Sequence, residues 1–597
     1  MDLTSDGFEA ERPQPIRSGW RRALLIFTAL GAGGFAAGRI AYRLDSVTLP
    51  MTLVMLSTLA PFFALLGFGL WWLVFGDYGR VTRVLLALAA AAVVVAVPFL
   101  AQGFWVPQPG GMKMFGLIWG APLAAAVAGL VLAFVPALRG WPAILVAMVA
   151  VSPWLLTRTE GVTGAFDLDV SFRWSTPPTA AAEKQLAGRA TVAPTAVVAD
   201  VPVGPADWTG FRGADRAGVA PVAAFQGWDG TAPKERWRKN PIGPAWSSVC
   251  VAGDFLFTQE QRGESESVVS YRTADGTEVW AHGDAGKHTD WASGAGPRAT
   301  PTLANGRLFA ATASGAIVAL QAGSGAPLWR VDLKEKYGAT KPPFGWSSSP
   351  LAVGELVVLS PAAPEAPRLV ALSAATGELK WQTEAKGTYG YSSPQLSTVA
   401  NVPLVLMFNG EGLFAHDPAT GAEVWRYDGK VQANEPATVQ PLVLAGDRIV
   451  IGGGIKGTGT RCLAVAKSGE KWSVTEKWAT TKFTPVFNDV VRFGDFLFGL
   501  DTGRLVCLDL ANGSIRWREG NYGSGQLLLV GDKLLVASEQ GRLACVAASG
   551  DEYEELWALP AVKGKTWNHP VVAGGRLYFR NPTEMATYDL PGYMGRK

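Results

Sequence analysis

Histidine and cysteine are the scarcest reactive residues in this sequence, with four of each among 597. No two cysteines are adjacent and none stands at a metal-ligand spacing, so the chain spells neither a zinc site nor a disulfide framework. Net charge is only +3. Without a strong basic excess there is no electrostatic footprint for nucleic acid. Charge is scarcest over residues 23–156, where ionisable groups are nearly absent from the apolar runs. Transporters and proton relays place such groups inside their spans, so these runs read as an anchor rather than a pathway. No lipobox is visible either.

Five apolar stretches can be drawn: Ala23–Gly38, Leu49–Phe75, Val84–Ala101, Met114–Leu138 and Trp141–Leu156. A spanning helix needs roughly 20 mainly apolar residues, which the middle three supply and the outer two approach. A cleaved signal peptide is the other reading of the first stretch, but four more runs follow and no small-x-small cleavage site is evident. With five spans, Arg12, Arg17, Arg21, Arg22, Arg80, Arg83 and Arg139 collect on one side, against Arg39, Arg43, Lys113 and Arg158 on the other. The basic-rich side is cytoplasmic. Residues 1–22 then form a cytoplasmic tail, 23–156 a multi-pass anchor in the cytoplasmic membrane, and everything after Leu156 lies on the periplasmic or external side. The two short stretches decide this parity. Residues 157–206, rich in Ala, Thr, Val and Pro, read as a semi-extended linker.

Tryptophan and glycine are abundant, at 23 and 70 residues, and they recur together from residue 207 onward. The clearest copies run Ala371-Leu-Ser-Ala-Ala-Thr-Gly-Glu-Leu-Lys-Trp381 and Ala415-His-Asp-Pro-Ala-Thr-Gly-Ala-Glu-Val-Trp425. Tryptophans 237, 280, 329, 381, 425, 478, 517 and 557 are spaced by 43, 49, 52, 44, 53, 39 and 40 residues, the period of propeller blades with four short strands each. Thr-Gly or Asn-Gly supplies a positive-φ turn before the fourth strand, and the Trp covers a neighbouring blade. The strand at Trp237 has no three strands before it, while the chain after Trp557 offers three strands and no Trp. One incomplete unit at each end makes one whole blade. The expected fold over 207–597 is therefore an all-β, eight-bladed propeller of four-stranded antiparallel blades, closed by its N-terminal strand and preceded by about five transmembrane helices. Cys507 and Cys545 occupy the small third-strand position held elsewhere by Ser270, Ala319, Ala371 and Ala415, with Cys462 at or beside it, so they read as buried filler rather than redox groups.

The Thr-Gly-x-x-x-Trp units resemble the tryptophan-docking repeat of quinoproteins. Trp208-Thr-Gly-Phe-Arg-Gly, Gly296-Pro-Arg-Ala-Thr-Pro-Thr and Gly345-Trp-Ser-Ser-Ser-Pro-Leu resemble bacterial quinone-binding-like repeat proteins. The resemblance covers nearly all of 207–590 and points two ways. Membrane-bound quinoprotein dehydrogenases, with a helical anchor and external propeller, imply pyrroloquinoline quinone with calcium and alcohol or sugar oxidation feeding the quinone pool. The BamB-like barrel-assembly lipoproteins imply a compact, non-enzymatic propeller. The adjacent cysteines of the alcohol-oxidising branch are absent, and no catalytic carboxylate set stands out.

The residues leading into each first strand should ring the central channel: Trp246-Ser247-Ser248, Arg298 to Thr300, Trp346-Ser347-Ser348, Tyr391-Ser392-Ser393, Asn434-Glu435, Asn488-Asp489, Ser524 and Asn568-His569. Two readings of this polar ring stand. Its hydroxyls and amides either satisfy backbone groups at tight blade junctions or form a ligand funnel. The candidate cofactor contacts are His288, Asp290, Arg298, Trp346, Ser347, Tyr391, Asn434 and Asn568, with Arg298 as the cation for an anionic ligand; no catalytic residue or metal ligand can be named. The leading expectation is a membrane-anchored binding or scaffold module of the bacterial cell envelope, with an envelope protein or small ligand as partner. A quinone-dependent dehydrogenase is the alternative. A sensor signalling inward finds little support in so short an N-terminal tail.

Overall fold

The computed structural model describes residues 156–164, 168–194, 201–290, 292–429, 438–452 and 459–594, together with a few positions between 23 and 34. They divide into two compact units. One holds the described residues up to Thr159 with Val170–Ser175; the other holds Glu160–Asp169 and the chain from Thr176 onward. The expected spans lie outside the described residues except for a few positions of the first and Leu156. Among the described residues no helix is long and apolar enough to cross a membrane.

Among the described residues, eight four-stranded antiparallel sheets follow one another in chain order. The first blade runs Cys250–Ala252, Phe255–Arg262, Ser265–Arg272 and Glu278–Ala285, and the second begins at Thr302. Blades three to seven begin at Leu351, Gln395, Leu442, Val491 and Gln526. The eighth is composite: Val571–Ala573, Arg576–Arg580 and Met585–Asp589 are completed by Lys234–Lys239 from the other end of the propeller. Sequence and structure agree on the closing strand, which leaves the ring without a free edge.

Blade packing follows from the pleat. Successive side chains point to opposite faces, and in these strands both faces are apolar. In the second blade Leu308, Ala310, Val318 and Leu320 join a core with Phe257, Val268 and Trp280 of the first. Phe309, Ala311, Ile317 and Ala319 join a core with Val357, Leu359, Val370 and Leu372 of the third.

The repeated tryptophan fastens each blade to the next. Indole Nε1 of Trp237, Trp280, Trp329, Trp381 and Trp478 donates to the carbonyls of Thr273, Ala322, Ala374, Pro418 and Leu510. Each acceptor lies three residues before the positive-φ glycine of the following blade's turn (Gly276, Gly325, Gly377, Gly421 and Gly513). A Cβ on any of these five glycines would come within 3.0 Å of the docked indole. Glycine is thus required both for backbone sign and for the space under the ring. The fifth blade lacks this turn. It has a longer hairpin, Thr460–Ser468 with Lys471–Thr480, and Trp425 Nε1 is buried with no hydrogen-bond partner.

The small third-strand position is equally regular. Ser270, Ala319, Ala371, Ala415, Cys462, Cys507 and Cys545 each pair across the ladder with their blade's Trp, and each ladder has a bulge directly after it. All four cysteines are free and buried, and burial pushes the Cys507 and Cys545 thiols up to about 12.

The linker expectation is corrected. Pro178–Leu186 is a helix that buries Ala182 and Leu186. Its Pro start and Ala-Ala-Ala-Glu-Lys-Gln-Leu run have high helix propensity. Beyond it, Val192 pairs with Ala281 on the outer strand of the first blade, and Ala190 O accepts from Ser267 Oγ at 2.9 Å. This part of the chain is docked to the propeller rather than a free tether.

Candidate functional site: the propeller hub

The described residues leading into the first strands are joined from blade to blade by hydrogen bonds among their polar groups. The backbone N–H of Ser248 donates to Thr300 Oγ1 at 3.1 Å, that of Thr300 to Ser349 Oγ at 3.0 Å, and that of Ser349 to Ser393 Oγ at 2.9 Å. The Gln440 amide then spans to Ser393, donating to its carbonyl at 2.9 Å and accepting from its N–H at 2.7 Å. Gln440 N–H donates to Asp489 Oδ1 at 2.7 Å. The belt continues through Gln526 Nε2 to Phe487 O at 3.1 Å and Trp567 Nε1 to Glu539 Oε1 at 2.8 Å. It returns to the first blade through Asn568 Nδ2 to Ser247 O and Ser248 Oγ to His569 O, both at 2.8 Å. All eight blade junctions are thus bridged, and the polar ring is principally a set of interblade clasps.

A second feature went unread in the sequence. Residues 206–220 run along the inner strands and cap their free edges. Trp208 exchanges backbone hydrogen bonds with Val251 of the first blade, Thr209 O accepts from Leu303 of the second, and Gly218 and Ala220 bracket Leu529 of the seventh. Ala206 O accepts from Gly574 of the eighth. Arg212 Nη2 donates at 2.8 Å to Val490 O, before the sixth blade, and Arg216 Nη2 to Ser349 O and Pro350 O at 3.1 and 2.6 Å, before the third. This segment therefore holds six of the eight blades together. The Trp208-Thr-Gly-Phe-Arg-Gly motif marks it, but nothing in its composition announces that both arginines become buried.

At the hub Arg212 Nη1 lies 3.5 Å from Asp489 Oδ2, which also faces His569 Nε2 at 3.2 Å. Burial alone would raise the Asp489 carboxyl, yet Arg212 and His569 hold it below the usual carboxylate range. The Phe211 ring packs edge-on against His569, 5.2 Å between centroids.

His288, Asp290 and Arg298 do come together. Asp290 Oδ1 accepts from the N–H groups of Ala292 and Ser293. Its Oδ2 accepts from Arg298 Nη2 at 2.7 Å and Ser293 Oγ at 2.6 Å, and faces His288 Nε2 at 3.3 Å. Arg298 spends its remaining donors on the carbonyls of Gly294, Ala295 and Phe344. It is buried and ion-paired, a loop staple rather than a cation open to solvent. Desolvation pulls the Arg298 guanidinium and the His288 imidazole down.

Of the other described candidates, Tyr391 lies beside this group, joined to Arg298 through Phe344. Trp346 is core, donating to Pro361 O at 2.7 Å, and Asn568 is committed to the belt. Ser347 Oγ donates to Tyr391 O at 3.2 Å, and the Tyr391 hydroxyl accepts from Phe344 N–H at 3.3 Å. Asn434, Glu435 and Trp291 lie outside the described residues. A quinone with calcium needs converging free carboxylate and amide oxygens and a cation beside the quinone oxygens. The described candidates do not fit, because their oxygens and guanidinium are occupied by one another. Among the described residues no group of three His, Cys, Asp or Glu side chains is placed to hold a metal ion.

A family model described as outer membrane protein assembly factor BamB matches residues 264–519. The chain is similar to the outer membrane protein assembly factor BamB of Shewanella oneidensis, 26% identical over 289 residues that cover 46% of this chain and 69% of that protein. Among solved structures, BamB from Moraxella catarrhalis aligns with a TM-score of 0.43 at 16% identity, over 60% of this chain and 100% of that one. Quinohemoprotein alcohol dehydrogenase from Comamonas testosteroni aligns with a TM-score of 0.48 at 14% identity, over 71% and 85%.

Proposed function

We propose, from this chain's likeness to the BamB-like quinoprotein-propeller superfamily, that its propeller is a non-catalytic binding scaffold in the bacterial cell envelope. In this reading the apolar residues 23–156 anchor it in the cytoplasmic membrane, and the propeller works on the external side with an envelope protein as partner. The carrying observation is the hub: the polar groups that a quinone funnel would need are spent on interblade clasps, and the inner strands are capped by the chain's own residues 206–220. The name of the Shewanella relative, an outer membrane protein assembly factor, supports the same class of role. Such a surface works by area and shape on the rim and outer strands. Leu328, Leu379 and Leu556 on fourth strands are exposed there.

The test has two arms on the full chain. Photo-crosslinking residues at Leu328, Leu379 and Leu556 in living cells should trap one discrete envelope protein. Protease added to spheroplasts should digest the propeller. A propeller protected until lysis would refute the external location, and the absence of any discrete adduct would refute the scaffold. Pyrroloquinoline quinone with calcium should give no saturable stabilisation of the purified protein; a calcium-dependent Tm rise would restore the dehydrogenase alternative.

A further inference from the structure

Residues 161–164 belong to the same compact unit as the propeller and are seated on it. Val162 is buried, and both its backbone groups are engaged. Its N–H donates to Ala292 O at 3.0 Å, and its carbonyl accepts from Lys565 Nζ at 3.0 Å. Gly164 N–H donates to Glu539 Oε1 at 2.6 Å. Both glycines fit too closely for a side chain. A Cβ on Gly161, where φ is +135, would come 2.5 Å from Ala292 O, and one on Gly164 would come 1.7 Å from Ser524 Oγ.

The groups that hold this segment are supported by the propeller itself. Trp246 leads into the first blade and Lys565 and Trp567 into the eighth, and all three are half-buried. The two indoles pack with ring centroids 4.8 Å apart. Their N–H groups are fixed within the propeller, on Ser293 O at 2.7 Å and Glu539 Oε1 at 2.8 Å. Lys565 Nζ stands 5.9 and 5.0 Å from the two ring centres, a cation–π placement. Glu539 also acts on the Lys565 charge and accepts from Ser524 N–H through Oε2 at 3.3 Å. Lifting residues 161–164 away would strand neither the lysine nor the carboxylate, and would free no indole N–H. What stays behind is a preformed set of main-chain partners: an ammonium for a carbonyl, and a carboxylate and a carbonyl for two N–H groups. Such recognition tolerates sequence except where the backbone approaches closest.

We propose that Trp246, Ala292, Glu539, Lys565 and Trp567 form a peptide-binding site that residues 161–164 occupy in cis, and that its ligand in trans is a peptide of the pattern Gly-x-x-Gly. The site is separate from the outer-strand surface of the scaffold reading. Its test needs neither a partner protein nor a given side of the membrane, so the two readings fail independently.

A fluorescent synthetic peptide of residues 158–165, Arg-Thr-Glu-Gly-Val-Thr-Gly-Ala, is titrated against the detergent-purified full chain, and anisotropy is followed. The tethered segment competes at an effective concentration on the order of millimolar, so the unaltered chain should bind weakly. Gly161→Val, which prevents seating, should bind the peptide at least about ten-fold tighter. Adding Lys565→Met to that variant should weaken binding at least about ten-fold. A peptide carrying both Gly161→Val and Gly164→Val should not bind. No saturable binding by the Gly161→Val protein up to about 1 mM overturns the proposal. So does an affinity unchanged by opening the site or by Lys565→Met. Should Gly161→Val fail to fold, Gly164→Val opens the site instead. Should neither fold, hydrogen exchange at residues 161–164 of the unaltered chain decides: about 10 mM peptide should speed it by displacing the segment, and no change overturns the proposal.

Discussion

The glycine–tryptophan clasp makes a quantitative prediction that separates backbone sign from packing. Gly325 has φ +71, and a Cβ there would lie 2.5 Å from Cε3 of Trp280, an indole with 0% exposure. Gly354 has φ +57, and a Cβ there would meet nothing within 4 Å. Gly354→Ala therefore carries only the left-handed backbone penalty, ~1–2 kcal/mol. Gly325→Ala adds the cost of forcing a methyl against a packed ring, ~1–3 kcal/mol, for a total of ~2–5 kcal/mol. Trp280→Ala removes a fully buried indole and costs ~3–5 kcal/mol. In the Trp280→Ala background the methyl has space, so Gly325→Ala should fall back to the cost of Gly354→Ala. The double-mutant cycle should then show non-additivity of ~1–3 kcal/mol. Urea unfolding of the full chain followed by far-UV circular dichroism measures all four variants without relying on the deleted fluorophore. Equal costs for Gly325→Ala and Gly354→Ala, or strict additivity in the cycle, would refute the claim that glycine is there to seat the indole.

Burial holds the His416 imidazole down to about 4, against about 6.5 when unfolded. Between those values the unfolded chain binds the extra proton, so stability is full above about 6.5 and falls by up to ~3 kcal/mol as pH drops through 4. His416→Leu, which installs the residue found at the matching positions Leu320, Leu372 and Leu508, should remove that part of the slope from urea midpoints measured between pH 7 and 4. The four buried thiols should resist a thiol reagent at pH 8 in the native protein and all react after unfolding, and a fast-reacting cysteine before unfolding would contradict their role as filler. Arg298→Ala should act through folding: it strands Asp290 in the interior and lowers unfolding free energy by ~3–5 kcal/mol, read from the urea midpoint. A variant as stable as the parent would show that the loop staple is dispensable.

What was legible in the sequence is what repeats. The tryptophan spacing, the small residue opposite each Trp and the unpaired strands at either end sufficed for blade number and closure, because each depends on local periodicity summed over many copies. Individual contacts were not legible. His288, Asp290 and Arg298 lie close in sequence and do meet, yet no local pattern reveals that they saturate one another. The 178–186 helix was hidden by the flanking Pro and Thr residues, although Ala-Ala-Ala-Glu-Lys-Gln-Leu carried its propensity. The path of residues 206–220 could not be read because edge capping uses backbone groups, and every residue but proline offers the same donor and acceptor.

Repetition also tells which departures matter. A task that recurs from blade to blade is explained by the ring, and the Ser, Thr and Gln residues of the belt fall into that class. Trp425 does not. Trp425 loses its acceptor because the next blade exchanged its tight turn for a long hairpin, so that junction keeps its apolar packing against Ile449, Ile451, Leu463 and Val465 of the fifth blade but not the indole hydrogen bond. It is the junction where blades should part most easily.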